Sequence, residues 1–218
     1  MEIKGKKINF LGDSITEGVG VSDESKLYWR LLGERDGAIV KGYGISGSRI
    51  ARQQVLGENL RMERYFYQRA NEDMDNEADI VVIFGGTNDY GHGDAAFGKM
   101  SDRTLDTFYG AYHMLCQLLI EKYPKAQIVI MTPCHRLDEN KDYNELGIRN
   151  VNSLSGYVNA IKEVASYYAI PVLDLYSLSN FQPEIEVNRN LYMPDGLHLS
   201  DEGHEIIYSR LKEFLKNL

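Results

Sequence analysis

Three short blocks of this chain carry side chains suited to acyl transfer. Gly12-Asp13-Ser14-Ile15-Thr16 follows the apolar run Lys7 to Leu11, so a serine hydroxyl emerges where a strand gives way to a turn. Such a hydroxyl becomes a useful nucleophile only when a neighbouring base takes its proton. The same residues also suit a helix N-cap, a position that favours Ser and Asp. Gly85-Gly86-Thr87-Asn88-Asp89 follows another apolar run, Asp79 to Phe84. The carboxamide of Asn88 can donate to a developing oxyanion, although Gly-Gly and Asn-Asp also make ordinary turns. Near the C-terminus, Asp195-Gly196-Leu197-His198 places a carboxylate three residues before an imidazole. A carboxylate so placed can accept the Nδ1 hydrogen and leave Nε2 free as a general base, while Asp-Gly by itself is a common turn dipeptide.

These blocks can act together only if the fold brings them to one edge. Lys7 to Leu11, Ile39 to Gly42, Asp79 to Phe84, Gln127 to Thr132 and Pro171 to Leu175 are rich in Val and Ile and lack strict alternation, which predicts strands buried on both faces. Between them, Leu105, Phe108, Tyr112, Leu115, Leu119 and Ile120 recur at helical spacing, as do Val158, Ile161, Val164, Ala165 and Tyr168, and Ile207, Leu211, Phe214 and Leu215. Strand and helix patterns in alternation predict a three-layer α/β/α fold with a parallel sheet, spanning residues 1–218 as one domain. In such a sheet the ligand crevice lies beyond the carboxyl ends of the strands. Gly85 to Arg103, Cys134 to Val151 and Ser177 to Pro194 read as the loops there.

Gly12-Asp13-Ser14, the glycines of Gly44-Ile45-Ser46-Gly47, Gly86-Thr87-Asn88-Asp89, and Asp195 with His198 together resemble the ordered blocks of the SGNH/GDSL hydrolases. The resemblance covers nearly the whole chain. It implies a five-stranded parallel sheet in the flavodoxin-like order 2-1-3-4-5. It also implies Ser14 as nucleophile, Asp195 and His198 as the other triad members, and an oxyanion hole made by the N–H groups of Ser14 and Gly47 with the Asn88 amide. Many relatives carry an asparagine shortly before the second-block glycine. Here that stretch is Lys41-Gly42-Tyr43-Gly44, so either Gly44 or Gly47 could supply the donor. Gly47 is preferred, because it has a small residue on each side and glycine allows close backbone approach. The activity implied is hydrolysis of a carboxylic ester through an acyl-enzyme. With no long apolar lid in the sequence, the resemblance implies short acyl groups such as O-acetyl groups on carbohydrates. Long-chain thioester or lysophospholipid cleavage, and a noncatalytic glycan-binding module on the same fold, are the alternatives.

Composition narrows the partners. Lys and Arg number 24 against 32 Asp and Glu, a formal charge of -8, which disfavours a nucleic-acid partner. The basic stretch Arg61 to Arg69 is interleaved with Glu63 and aromatics and reads as a charged helix face. Cys116 and Cys134 lack metal or redox spacing, no cluster suggests a metal, and no cofactor motif is present. Asp13, His92 and Cys134 are candidate pocket contacts, as are the aromatics Tyr28, Trp29, Tyr90, Tyr143, Phe181 and Tyr192. Cys134-His135 could suggest a thiol nucleophile but reads as structural or substrate-lining. The N-terminal residues lack a secretory pattern and no run is long enough to span a bilayer, so the expectation is a cytoplasmic protein.

Overall fold

A computed structural model describes all 218 residues. The elements run β1 (Lys7–Gly12), α1 (Ser14–Glu17), α2 (Tyr28–Asp36), β2 (Ile39–Gly44), α3 (Phe66–Glu72), β3 (Ile80–Phe84), α4 (Thr87–His92), α5 (Phe108–Lys122), β4 (Gln127–Met131), α6 (Leu154–Tyr167), β5 (Val172–Leu173), α7 (Leu175–Leu178), α8 (Glu186–Tyr192) and α9 (Asp201–Lys216). All pairings are parallel, and the strand order is β2-β1-β3-β4-β5. The predicted three-layer α/β/α architecture and sheet order are both present.

Side chains alternate across the pleat and build two cores. Leu11, Val81, Ile83, Ile128 and Ile130 pack with α3, α5 and α6 on one face. Ile8, Phe10, Ile80, Val82, Val129 and Met131 pack with α2 and α9 on the other. Covering both faces explains why the strands read as continuous apolar runs. The long helices start at side-chain caps: Thr107, Ser153 and Ser200 accept from the N–H groups of Gly110, Gly156 and Gly203. No helix is long and apolar enough to cross a membrane.

Three expectations need correction. The loop predicted over Gly85 to Arg103 contains α4, and that over Ser177 to Pro194 contains α7 in part and α8. The Arg61 to Arg69 stretch is not one helix face: α3 begins only at Phe66, and Arg69 is completely buried. Finally, Tyr28, Trp29 and Phe181 belong to the core and Tyr192 packs half-buried beside Phe181, while the buried Tyr90 borders a cleft with Tyr143, which is 58% exposed.

Candidate active site

β1 ends at Gly12, where any Cβ would collide with the Thr16 side chain, so the chain can turn directly into α1. Asp13 caps that short helix, accepting from Ile15 N–H at 3.1 Å. Ser14 is therefore the first helical residue, one whose N–H has no carbonyl a turn earlier within the helix. Its Oγ lies 3.0 Å from His198 Nε2. His198 Nδ1 lies 2.7 Å from Asp195 Oδ2. The other Asp195 oxygen accepts from the N–H groups of Leu197 at 2.9 Å and His198 at 2.7 Å. Gly196, at φ +84°, makes the turn that folds the carboxylate back on the ring. Partial burial raises the Asp195 carboxyl, but the bonds from the His198 ring and the two N–H groups outweigh it and hold it below the ordinary range. An ionised Asp195 fixes the hydrogen on Nδ1 and leaves the Nε2 lone pair facing the hydroxyl.

The second block turns at the end of β2. Gly44 stands so close to α1 that a Cβ would overlap the backbone of Thr16 and Glu17. Beyond it, Ile45 N–H donates to Gly12 O at 3.2 Å, Ser46 N–H to Glu17 Oε2 at 2.7 Å, and Ser48 N–H to Ile45 O at 3.2 Å. The N–H of Gly47, at φ +74°, is the one in this turn with no partner. Gly44 thus serves the close approach of strand and helix, and Gly47 has the free donor.

The third block enters α4 through Gly86, at φ +111°. Asn88 is 3% exposed; its Nδ2 donates to Ser48 O at 3.1 Å, and its Oδ1 lies 3.2 Å from His92 Nε2. One N–H of the amide therefore remains for a ligand. Next to it, the Asp89 carboxylate accepts from Ile50 and Ala51 N–H at 2.9 Å each, tying α4 to the second-block loop. Burial pushes the Asp89 carboxyl up to about 7. Asp13 is likewise buried and pushed up to about 6.

The predicted pocket residues divide between two cavities. Asp13 and Cys134 line a small cavity of about 10 Å³ with Ile15, Phe84, Met193 and Leu197. His92 lines a larger cleft of about 790 Å³, with Arg49, Met62, Glu63, Leu146 and Ile148. Cys134 is no nucleophile: burial raises its thiol, while the neighbouring His135 points to Glu139 at 2.9 Å and packs on Tyr176. His113 is fully buried near Tyr168, and His204 accepts from Tyr28 N–H, with burial lowering its ring to about 4.

Sequence reasoning missed the arginines behind the site. Arg69 donates to Ser48 Oγ at 2.7 Å, to Gly12 O at 3.0 Å and to Tyr43 O, clamping the ends of β1 and β2 to the second-block loop. Its spacing from Phe66 and Ala70, on one apolar stripe, was the available signal. Arg49 pairs with Glu63, and Arg136 with Glu145; nothing in the local pattern marks either arginine.

This sheet order, with Ser, Gly, Asn and His at its carboxyl edge, is the SGNH hydrolase fold. The chain belongs to the GDSL-like lipase/acylhydrolase family, whose model matches residues 10–206. A GDSL esterase/lipase of Arabidopsis thaliana is 27% identical over 97% of this chain and 86% of its own length. A human isoamyl acetate-hydrolyzing esterase homolog is 29% identical over 62% of this chain and 56% of its own. A crystal structure of a protein from Lactobacillus plantarum superposes with TM-score 0.80 at 28% identity, covering 99% of this chain and 98% of that one.

Proposed function

We propose that the protein is a serine carboxylic ester hydrolase that works through an acyl-enzyme on short acyl esters of uncharged alcohols, O-acetyl groups of carbohydrates among them. The observation that carries this reading is the unbroken line Ser14 Oγ, His198 and Asp195 at 3.0 and 2.7 Å. His198 Nε2 takes the hydroxyl proton as Ser14 Oγ attacks the ester carbonyl, and the carbonyl π electrons move onto oxygen. The N–H groups of Ser14 and Gly47 and the free N–H of Asn88 hold that oxyanion. Collapse expels the alkoxide, which takes the proton from His198, and water repeats the sequence on the acyl-enzyme. Asp195 keeps the imidazole in the required tautomer and supports the imidazolium.

Two features favour a short, uncharged substrate. The small cavity lies between residues flanking the nucleophile and the histidine, and it has room for about one water-sized group, as an acetyl methyl requires. Along the larger cleft Glu63 neutralises Arg49 and Arg136 neutralises Glu145, which leaves the carboxylates of Glu58 and Asp94 without a cationic partner, so an anionic substrate such as a coenzyme A thioester meets repulsion. The human relative named for isoamyl acetate supports the same direction. One observation favours a longer apolar chain: Val55, Leu146 and Ile148, all exposed, line the larger cleft. Hydrolysis of p-nitrophenyl esters from acetate to palmitate, by the wild type and Ser14→Ala, separates these readings. Rates that fall with chain length and vanish in the folded mutant support a short-acyl serine esterase. Rates rising toward long chains move the assignment to the second reading, and activity surviving in Ser14→Ala rejects both.

A further inference from the structure

A carboxamide has two orientations that exchange its oxygen and nitrogen, and only one lets Asn88 donate to an oxyanion. Asn88 Nδ2 faces the Ser48 carbonyl, which accepts, and Asn88 Oδ1 faces His92 Nε2. Since Oδ1 can only accept, Nε2 must carry the ring hydrogen, and Nδ1 then holds the lone pair. Nδ1 meets a group that can only donate, Arg49 NH1, at 3.3 Å. The tautomer is therefore fixed from both sides. Flipping the amide would set donor against donor at His92 and acceptor against acceptor at Ser48.

Arg49 is itself held. Its side chain is 5% exposed and pairs with Glu63, 7% exposed, while NH1 also donates to Gly47 O at 3.2 Å. Glu63 accepts from Gly57 N–H at 3.2 Å as well. One guanidinium thus braces both loops that supply oxyanion donors, holding the Gly47 carbonyl directly and Asn88 through His92. Burial and the Arg49 charge both hold the His92 ring below the ordinary imidazole range, so it stays in the form this chain of bonds needs.

We infer that His92 is a positioning residue of the oxyanion site: with Arg49 and Glu63 behind it, it locks the Asn88 amide so that its second N–H faces the developing oxyanion. The inference rests on the ester-hydrolase reading and on Asn88 as a donor. It assigns His92 a role on Asn88 rather than on substrate, although the ring borders the larger cleft.

The test is a set of kinetic comparisons on p-nitrophenyl acetate. His92→Leu removes the donor to Oδ1 and is expected to lower kcat by about tenfold or more, short of the ~100- to 1000-fold expected for Asn88→Ala, with KM changed less than about twofold. His92→Gln, whose amide can donate to Asn88 and accept from Arg49, is expected to restore most of kcat. In the Asn88→Ala background, His92→Leu should have almost no further effect, because its target is gone. A general structural role would instead lower both backgrounds alike. Additive losses, a wild-type kcat in His92→Leu, or a His92→Gln no better than His92→Leu overturns the inference. Should His92→Leu fail to fold, judged by circular dichroism, the uncharged His92→Ala carries the same comparison. Loss of activity in Ser14→Ala and Asn88→Ala with full activity in His92→Leu removes this inference alone. An Asn88→Ala enzyme as fast as wild type removes the oxyanion assignment and this inference with it.

Discussion

At the scale of single residues, the site depends on groups whose charge or donor is set by what surrounds them. Removing the Asn88 amide should leave the nucleophile intact and take away one oxyanion donor. Asn88→Ala is accordingly expected to lose about 100- to 1000-fold in kcat, measured on folded protein. Asp13 offers a prediction about stability. Its carboxyl, 2% exposed, is raised by burial to about 6. Between the unfolded value near 4 and that value, the folded chain keeps a proton that the unfolded chain has released. Stability from this group therefore falls as pH rises through that window. Asn caps a helix as well as Asp, so Asp13→Asn should gain on the wild type from pH 4 to pH 7, by on the order of 3 kcal/mol at most. Urea denaturation of both proteins across that range measures the difference; a gap constant with pH contradicts the assignment. The residues legible in the sequence were those that sit in short motifs, beside one another or just past an apolar run that reads as a strand. Asp195 and His198 are three apart, Asp13 and Ser14 are the first two residues after β1, and Asn88 is the fourth after β3. Arg69 reaches back to the Gly12 carbonyl and Arg49 forward to Glu63 and His92, partners remote in the chain that no spacing reveals.

At the scale of elements, the site stands where β1, β2 and β3 end and their chains turn toward α1, the second-block loop and α4. Gly44 controls how closely β2 approaches α1. A methyl group there would press on the backbone of Thr16 and Glu17, which cannot move aside as a flexible side chain would. Gly44→Ala is expected to cost about 1–3 kcal/mol or more from overpacking, and to shift the Ser14 helix enough to lower activity. Thermal melting and kinetics of the variant check both. Strands and long helices were readable because burial on both faces leaves apolar runs, and one buried stripe leaves helical spacing. Helices α4 and α8 were not. In α4 the residues Thr87, Asn88, Asp89, Tyr90 and Gly91 are all buried, so no polar face alternates with an apolar one. In α8 none is buried, and its one apolar pair at helical spacing, the exposed Val187 and Leu191, is too little over seven residues to mark a helix. The sheet order came from family resemblance alone, since alternation of elements does not order strands.

For the whole molecule, a net charge of -8 and an acid-rimmed cleft act in the same direction. An anionic ester should be a poorer substrate than its neutral counterpart: p-nitrophenyl hemisuccinate should show lower kcat/KM than the butyrate, with the gap narrowing as salt screens the field. Equal rates at low salt would mean that the cleft charge plays no part in selection. The central claim is that Ser14 is the nucleophile of an esterase, and covalent labelling tests it most directly. Treatment with a fluorophosphonate, followed by mass spectrometry of the digested protein, should place a single adduct on Ser14, with ester hydrolysis lost in proportion to labelling and no adduct in Ser14→Ala. Full esterase activity with Ser14 quantitatively labelled, or an inactivating adduct on another residue, would contradict it.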